Sequence, residues 1–548
     1  MRGRLFVLLL AAVLAGCGSE VNSAVDDAVS GRAAKPAHGD TLIQAIAANV
    51  SGLIPNITGD KYSHVAATHI YSGLITHDRN INIVPDLAES WTLSPDCLHL
   101  TFALRKNVRW HDGRPFTADD VVFTYQLMTH PKTPSPYKDD FASVASVHAV
   151  DPHTVRIHYR EPYAKALMSW GQAMLPRHLL ERYVHEGKLR EAPQNFTAPV
   201  GTGPYRFREM RSGEKIVLVA NPDYYAGPPY ISRIVYRIIP SQATVFLELK
   251  AKGIDATSNV TALQYKRQTD YPAFRKAYNR FRYAGNVYTY MGLNLKDPRF
   301  ADQRVRWAFA HAINKRDLID GVRLGMAREA TGPYKPGTWV YNPTVRTYPY
   351  DPARARRLLA EAGWKTTNAE GLLVKDGQPF TFEMLTSQGS DEGRKVAEII
   401  QANLREIGVG MEIRVLEWAA FLKEHIKKRR FEAVTMAWGI GLDPDQYGIW
   451  HSSKTGPDEF NFVSYRNPEV DEQLDRGRTT CLESERKRAY DRIQEILAEE
   501  QPIIFLYFRD EMPVVASRVY GIVPGPIGID YNFTEWFVPK ALQVYTAG

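Results

Sequence analysis

The sequence predicts an α/β fold, because helix-like and strand-like segments alternate through its second half. Residues 391–418 have a helical pattern that stops at Gly408 and continues as a strand with apolar side chains at every second position. A helical segment over 419–429 follows, and then an apolar strand over 431–440. This strand–helix–strand order is typical of a sheet that is covered by layers of helices.

Helix caps and a buried strand further along the chain support this fold class. In the segment YDPARARRLLAEAGW, Asp351 is placed to cap a helix, Pro352 suits its first position, and Gly363 suits the position past its end. A last helix is predicted over 483–500. The continuous apolar segment PIIFLYF (502–508) follows it, as expected for a strand that is buried on both faces.

The start of the chain predicts export. Two arginines and an apolar run give residues 1–16 the charge and length of a signal peptide. The sequence LAGC, which ends at Cys17, resembles the lipobox of bacterial lipoproteins, and this implies cleavage before Cys17 and a lipid anchor on a membrane. The alternative is an ordinary signal peptide with a chance cysteine. Residues 17–40 are small and polar and predict a flexible tether.

Charge argues against a nucleic-acid partner. The chain of 548 residues has 68 Lys and Arg against 61 Asp and Glu, and its formal net charge is only +7. The densest basic run, KKRR at 427–430, lies at the end of a predicted helix, where the helix dipole favours cations. We therefore interpret this run as a solvated helix end.

Cysteines and histidines give no sign of a metal site. Besides Cys17 the sequence has Cys97 and Cys481, which are far apart along the chain. We expect two separate buried thiols, because this separation gives no geometric support for a bond, although pairing in an oxidising compartment is the alternative. There is no CxxC pair and the 15 histidines do not cluster, so we expect neither a metal nor a cofactor.

The segment NVRWHDGRPFTADDVVF (107–123) contains a His111–Asp112 pair that could belong to an active site. An alternating strand precedes it, and the letters HDG have the composition of a turn. Thr117 predicts a helix cap, with Asp120 at the third position as in a capping box. We interpret the segment as a strand, a turn and a capped helix that serve as scaffolding.

The stretch PDLAESWTLSPDCLHLTFALRKNVRWHDGRPFTADDVVFTYQLM (85–128) resembles the signature region of the family 5 solute-binding proteins. These are the peptide, nickel and oligosaccharide receptors of ABC importers. Further similar segments follow in the family's order: YSGLI (71–75), GTGPYRF (201–207), NPDYYAGPPYISRIVYRII (221–239), MGLNLKDPRFADQRVRWAFAHAINK (291–315), YDPARARRLLAEAGW (350–364), RKVAEIIQANLREIGVGMEI (394–413) and PIIFLYF (502–508). Cys97 departs from the family, which commonly has glycine at this turn.

The resemblance implies a two-lobe periplasmic binding protein fold of the large, peptide-receptor type, with a third subdomain inserted in lobe I. The implied parts are lobe I over 41–70, 200–285 and 510–548, the inserted subdomain over 71–199, and lobe II over 286–509, with crossing strands over 286–294 and 504–510. The His111–Asp112 pair would then lie in the inserted subdomain, away from the ligand.

The segment MAWGIGLDPDQYGIW (436–450) is the first candidate for ligand binding, because it leaves a buried strand for a loop rich in glycine, acids and aromatic residues. The resemblance implies that Trp438 lies at the cleft and that an acid after it pairs with a peptide's α-amino group. Here Gly441 stands at the family's position and the first acid is Asp443. The candidates in this segment are Trp438, Gly441, Asp443, Asp445 and Tyr447. The alternative for the two acids is a turn that caps the next helix.

A second candidate segment is LTSQGSDEGRK (385–395). Family dipeptide receptors offer an arginine near here for the ligand's carboxylate, whereas this chain has Ser387 and Gln388. The loss of such a clamp argues against strict dipeptide specificity and favours longer peptides or a neutral ligand. Further candidates, for which core packing is the alternative, are Tyr288, Tyr290, Trp418, Tyr71 and Ser72.

These observations predict a binding protein and not an enzyme. Ligand in the cleft would stabilise a closed arrangement that an ABC permease recognises, and no bond is made or broken. A nickel chelate or an oligosaccharide is the alternative cargo. An envelope hydrolase is disfavoured, since no G-x-S-x-G motif and no carboxylate pair stands out. We expect a lipid-anchored monomer in the periplasm or at the cell surface.

Overall fold

The structure, a computed structural model, describes residues 34–545 except residues 259 and 481. The predicted signal peptide (1–16), the lipidation site Cys17, most of the predicted tether and Cys481 lie outside the described residues. Within the part of the chain that is described, no helix has the length and apolar character that crossing a membrane requires.

The predicted α/β fold is confirmed, and two large sheets form the centres of the two lobes. The lobe I sheet has seven strands, in the spatial order Tyr278–Arg280, Val514–Ala516, Ala256–Thr257, Gly39–Ile46, Ile231–Ile238, Lys215–Ala220 and Tyr205–Arg211. The lobe II sheet has six, in the order Ala327–Glu329, Ile503–Glu511, Tyr283–Leu293, Ala433–Gly439, Thr381–Ser387 and Gly410–Leu416. Both sheets mix parallel and antiparallel pairs.

The inserted subdomain is built on a separate antiparallel sheet of four strands, in the order Ala88–Leu93, His99–Leu104, Thr154–Tyr159 and Val144–Asp151. Two small sheets complete the strands: Ile75–His77 with Ile83–Pro85, and Thr366–Thr367 with Leu373–Lys375 and Gln378–Pro379. The three main sheets draw on the residues that the resemblance assigns to lobe I, lobe II and the insertion. The finer boundaries between these parts stay predictions.

The helices cover the sheets and connect their strands. The α-helices are Lys61–Ala67, Ala118–Thr129, Arg177–Glu186, Gln242–Ala251, Pro272–Ala277, Pro298–Ala301, Gln303–Ala312, Lys315–Asp317, Pro352–Glu361, Asp391–Glu406, Trp418–Ala420, Tyr447–Trp450, Pro468–Arg478 and Glu483–Glu500. The caps predicted for the helix Pro352–Glu361 are present: the Asp351 side chain accepts a hydrogen bond from the Arg354 N–H at 2.8 Å, and Gly363 has φ of +98°. The helix predicted over 419–429 is instead a short α-helix followed by a π-helix, Phe421–Ile426.

Two long strands link the lobes. Tyr283–Leu293 and Ile503–Glu511 pair antiparallel at the centre of the lobe II sheet, and their ends next to lobe I are Tyr283 and Glu511. The apolar core of lobe I is continuous with that of the inserted subdomain, since Leu42 and Phe102 belong to one buried cluster. Lobe II has cores of its own, one of which surrounds Ile400.

The His111–Asp112 segment is scaffolding in the structure. Its capping box is present, and the helix begins at Ala118. Instead of contacting each other, the two side chains take different partners: Asp112 pairs with His178 at 2.6 Å, whereas His111 bridges the Gly203 carbonyl oxygen (3.0 Å) and the Gly201 N–H (3.2 Å). Burial lowers the pKa of His111 to about 4, so the ring is a neutral clamp on this loop.

The expectation of two free thiols is wrong for Cys97, which is disulfide-bonded in the structure. Sequence separation carries no information about distance in a fold of several sheets, and this is why the expectation failed. Cys97 also has φ of +58°, in the left-handed region. This backbone conformation explains why glycine is common at this turn in the family that the sequence resembles.

Candidate functional site

A cavity of about 600 Å³ lies between the two lobes. Its lobe I wall includes residues 44–47 and 256–258, and its lobe II wall includes residues 386–387 and 435–437. A third side is formed by Tyr507 and residues 509–513, at the end of the strand that links the lobes and just after it. The volume lies within the range of about 300–1,000 Å³ that is typical of ligand pockets.

The lobes contact each other beside this cavity through the loop after strand Thr381–Ser387. The Asp391 N–H donates to the side chain of Gln242 in lobe I at 2.8 Å, and Glu392 accepts from the Ala262 N–H. Glu392 also pairs with Arg323, whose guanidinium donates to the Asp510 carbonyl oxygen at 2.9 Å. The structure is therefore a closed arrangement of the two lobes.

Lys61 is the first residue of helix Lys61–Ala67 and extends into the cavity. The helix is held in place by Asp60, whose carboxylate accepts from the N–H groups of Tyr62 (3.1 Å) and Ser63 (3.0 Å). Glu511 favours the charged form of Lys61, but burial and Arg509 outweigh it and lower its pKa. The side chain of Lys61 is exposed to the cavity. Among the described residues no carboxylate contacts its ammonium group.

Arg509 and Glu511 lie on one face of the strand that links the lobes, and they form an ion pair at 3.3 Å. Burial alone would raise the pKa of Glu511, but Arg509 and Lys61 lower it to about 2. Between them, Asp510 pairs with Arg282 at 2.7 Å. These charges are therefore compensated within the protein.

Asp530 belongs to a 3-10 helix, Asp530–Glu535, near the end of the chain, and it also lines the cavity. Its side chain is exposed there, and no cation among the described residues contacts it. Burial raises the pKa of its carboxyl group to about 6, while Lys61 opposes this shift and Glu511 adds to it. The carboxyl group of Asp530 is therefore ionised at neutral pH, but its ionised form is less favourable than that of an aspartate surrounded by water.

Two buried polar groups on the lobe II wall also lack partners. The indole N–H of Trp418 and the hydroxyl group of Thr435 make no hydrogen bond to any described residue. Trp418 meets Tyr62 of lobe I edge to face, with ring centroids 6.0 Å apart. Both atoms are enclosed within the wall, where an unpaired donor costs about 1–3 kcal/mol.

Of the residues suggested by the sequence, Ser387 and Trp418 line the cavity. Trp438 does not, although its strand neighbours Ala437 and Gly439 do. Its ring stacks on Phe462 at 5.5 Å and meets the edge of Phe460 at 5.2 Å. In this arrangement Trp438 supports the cavity wall from behind.

The two acids after Trp438 are paired within the protein. Asp443 accepts two hydrogen bonds from Arg486 at 2.7 and 2.8 Å, and Asp445 pairs with Arg478 at 3.2 Å. They also form successive turns, since the Asp445 N–H donates to Asp443 at 2.9 Å and the Tyr447 N–H donates to Asp445 at 3.0 Å. These contacts are the ones expected if the two acids form a turn before the next helix. A role for Asp443 in binding an amine stays a prediction.

The other suggested residues lie away from the cavity wall. The ring of Tyr447 lies under the guanidinium of Arg478, 4.3 Å from its centroid. Buried residues in this group are Tyr288 and Tyr290 in a lobe II core, and Tyr71 and Ser72. Gly441 and Gln388 are exposed in loops and do not line the cavity.

Sequence reasoning missed the charged residues of the cavity, among them Lys61, Arg509, Glu511 and Asp530. A signal for two of them was present, because Arg509 and Glu511 alternate at the end of an otherwise apolar strand. Lys61 and Asp530 share no sequence motif, so no pattern could have brought them together.

Known proteins resemble this chain in both sequence and structure. The pattern described as "Bacterial extracellular solute-binding proteins, family 5 Middle" matches residues 82–459. The oligopeptide-binding protein AppA of Bacillus subtilis is 30% identical over 544 residues, which cover 97% of this chain and 98% of AppA. The structure of AppA in complex with a nonapeptide has a TM-score of 0.87 at 29% identity, and the match covers 92% of this chain and 100% of that one.

Two further solved structures carry different ligands. NikZ from Campylobacter jejuni in complex with Ni(L-His) has a TM-score of 0.82 at 29% identity, with 91% of this chain and 99% of NikZ covered. DppA from Helicobacter pylori in complex with the peptide STSA has a TM-score of 0.82 at 27% identity, with 92% and 99% covered. The same fold thus holds ligands of different chemistry.

Proposed function

We propose that this chain, which belongs to the family 5 bacterial extracellular solute-binding proteins, captures peptides in the cavity between its lobes. It then delivers them to an ABC permease. The observation that carries the peptide assignment is the cavity of about 600 Å³ with walls from both lobes, in a chain that is 30% identical to AppA, whose structure holds a nonapeptide. Trp418 and Thr435 of the lobe II wall add two buried donors that have no partner among the described residues. Backbone carbonyl groups of a peptide are acceptors of the kind these donors need, whatever the side chains of the peptide are.

The form of the cavity supports this function. Both lobes contribute to its wall, so a bound ligand contacts both and stabilises the closed arrangement. Differential affinity for the closed state is what lets a ligand shift such an equilibrium. The similarity to AppA and DppA, whose structures hold peptides, adds support.

The proposal is tested by identifying what the protein carries. A soluble form that lacks residues 1–17 would be purified from cells and denatured, and the released small molecules would be identified by mass spectrometry. We expect a mixture of peptides with a narrow range of lengths. A single metal chelate or sugar without peptides would contradict peptide capture and leave the family membership intact.

A protein that releases nothing would be screened by thermal denaturation with peptide pools. A ligand present at 100 times its Kd should add about 2.7 kcal/mol of stability. Peptide pools that leave the melting temperature unchanged, while a chelate or a sugar raises it, would reject the peptide assignment.

We also propose that the protein is anchored to a membrane by lipid on Cys17 and acts as a monomer. The LAGC sequence at the end of the signal-like segment supports the anchor. Changing Cys17→Ser should move the protein from the membrane fraction to the soluble fraction, whereas Ser19→Ala should leave it with the membrane. Light scattering of the soluble form should give a mass close to that of one chain, and a dimer mass would reject the monomer.

A further inference from the structure

Most charged side chains that line the cavity are already paired. Arg323 pairs with Glu392, Arg509 with Glu511, and Asp510 with Arg282 outside the wall. Lys61 and Asp530 differ, because among the described residues neither contacts a group of opposite charge. They are close enough for each to influence the pKa of the other, but they form no ion pair.

Both side chains are exposed to the cavity, so a ligand that enters it can reach them. An ammonium or carboxylate surrounded by protein is stable only when a partner or water replaces its lost hydration. Despite the nearby Glu511, burial lowers the pKa of Lys61, and burial raises that of Asp530 despite Lys61, so neighbouring charges compensate each group only in part. A ligand with one negative and one positive group would supply both partners at once.

The two residues are also held in fixed positions. Lys61 follows the capping residue Asp60, whose carboxylate accepts from the backbone of Tyr62 and Ser63 and from the hydroxyl group of Ser63 at 2.6 Å. Asp530 begins a 3-10 helix in the last part of the chain. Both belong to lobe I, so their relative placement does not depend on the contact between the lobes.

We propose that Lys61 and Asp530 form a charged subsite for a zwitterionic peptide, in which Lys61 binds a carboxylate of the ligand and Asp530 binds its ammonium group. This inference rests on the proposed function and adds a preference for unblocked peptides. Lobe I then recognises the charges of the ligand, while Trp418 and Thr435 of lobe II bind its backbone.

A competition experiment tests the subsite. The protein is first unfolded and refolded to remove bound molecules. It is then incubated with an equimolar mixture of one tetrapeptide pool in three forms, which are free, amidated at the C-terminus and acetylated at the N-terminus. Captured peptides are counted by mass spectrometry. We expect the wild-type protein to enrich the free form over each blocked form by about 10- to 100-fold, as for a hydrogen bond to a charged group.

Variants assign each charge to its residue. Lys61→Gln should abolish the preference for free over amidated peptide and keep the preference over acetylated peptide, and Asp530→Asn should do the reverse. Lys61→Arg and Asp530→Glu should restore much of each preference. Lys276→Gln, an exposed lysine of lobe I outside the cavity, should leave both ratios unchanged. Because the readout is a ratio, partial unfolding of a variant does not alter it.

The outcomes separate the two proposals. Capture of all three forms in equal amounts by the wild-type protein, or variants that keep the wild-type ratios, would overturn the charged subsite and leave peptide capture standing. No capture of any form by the wild-type protein would overturn both.

Discussion

A single carboxyl group, that of Asp530, should make the stability of the ligand-free protein depend on pH. Its pKa is raised from the ordinary value of 3.8 to about 6, chiefly by burial. The groups that face it are Lys61, Glu511, Tyr236 and Tyr283. Since the folded protein binds this proton more tightly than the unfolded chain does, the contribution of Asp530 to stability falls between about pH 4 and about pH 6.

We therefore expect Asp530→Asn to gain stability relative to the wild-type protein over this pH range. The gain should be about 1–2 kcal/mol above pH 6, which allows for water in the cavity, because one unit of pKa corresponds to about 1.4 kcal/mol. Urea denaturation of both proteins at several values between pH 4 and pH 7.5 measures the difference. A difference that does not change with pH would show that burial does not raise this pKa.

Close backbone approach fixes another residue, Gly201, in the loop that His111 clamps. A Cβ atom at this position would lie 1.9 Å from the carbonyl oxygen of Ile70, and backbone cannot move aside as a side chain can. The glycine in GTGPY therefore reflects close packing of this loop against the backbone at Ile70. Its role in the sequence motif is structural.

Single residues also mark the limit of what sequence can predict. The caps at Asp351 and Gly363 were predictable because the signal and its effect lie within one helix. The partners of Asp443 and Asp445 come from helices that follow later in the chain, and Lys61 meets Asp530 only through the folding of lobe I. No local pattern reports such pairs.

At the scale of elements, Asp120 joins two helices of the inserted subdomain. Its buried carboxylate accepts hydrogen bonds from the Thr117 N–H (3.1 Å), the Trp110 indole (3.1 Å) and the Arg177 N–H (3.2 Å). Helix Ala118–Thr129 begins directly after Thr117, and helix Arg177–Glu186 begins at Arg177. One carboxylate thus fixes the starts of both helices and the indole of Trp110.

Replacing Asp120 by alanine should cost about 2–4 kcal/mol, because three donors lose their acceptor in the interior. Asp119→Ala changes an exposed residue of the same turn and should cost less than about 1 kcal/mol, since only its interaction with the helix dipole is lost. Urea denaturation gives both values. Equal losses in the two variants would mean that the buried hydrogen bonds contribute nothing beyond the charge.

Elements with strong local signals were predictable, and short irregular ones were not. The helix ending at Gly408 and the strand that follows it are present as Asp391–Glu406 and Gly410–Leu416. The next helix is broken into three α-helical residues and a π-helix, because Glu417 caps the segment and Phe421 and Ile426 are buried in a small core. Packing of this kind depends on tertiary contacts that helix periodicity does not contain.

At the scale of the whole molecule, ion pairs connect the inserted subdomain to lobe II. They are Lys454–Asp139 at 2.7 Å, Arg190–Asp458 at 2.7 Å, Lys138–Glu459 at 3.6 Å and Lys165–Asp445 at 3.7 Å. The Asp139 carbonyl oxygen also accepts from Arg478 at 2.7 Å. These contacts exist only while the lobes are close together, so they contribute to the closed arrangement.

Asp139→Asn should therefore weaken ligand binding by about 5- to 30-fold, because a ligand must then supply energy for closure that the ion pairs supplied. Calorimetric titration with a peptide identified by mass spectrometry measures the change. Small-angle scattering of the ligand-free variant should show a larger radius of gyration than the wild-type protein. Asp119→Asn, in an exposed helical turn of the same subdomain, is the control. Unchanged affinity would mean that closure does not depend on this pair.

The division of the cavity between the lobes has a kinetic consequence. Opposite charges on lobe I attract a zwitterion before the lobes close, and electrostatic attraction acts mainly on the association rate and weakens with salt. Trp418 and Thr435 on lobe II reach the ligand only after closure, and they determine how long it stays. Ionic strength should thus change how fast a peptide enters, while changes on lobe II should alter its residence time, which is the interval available for the permease to take it.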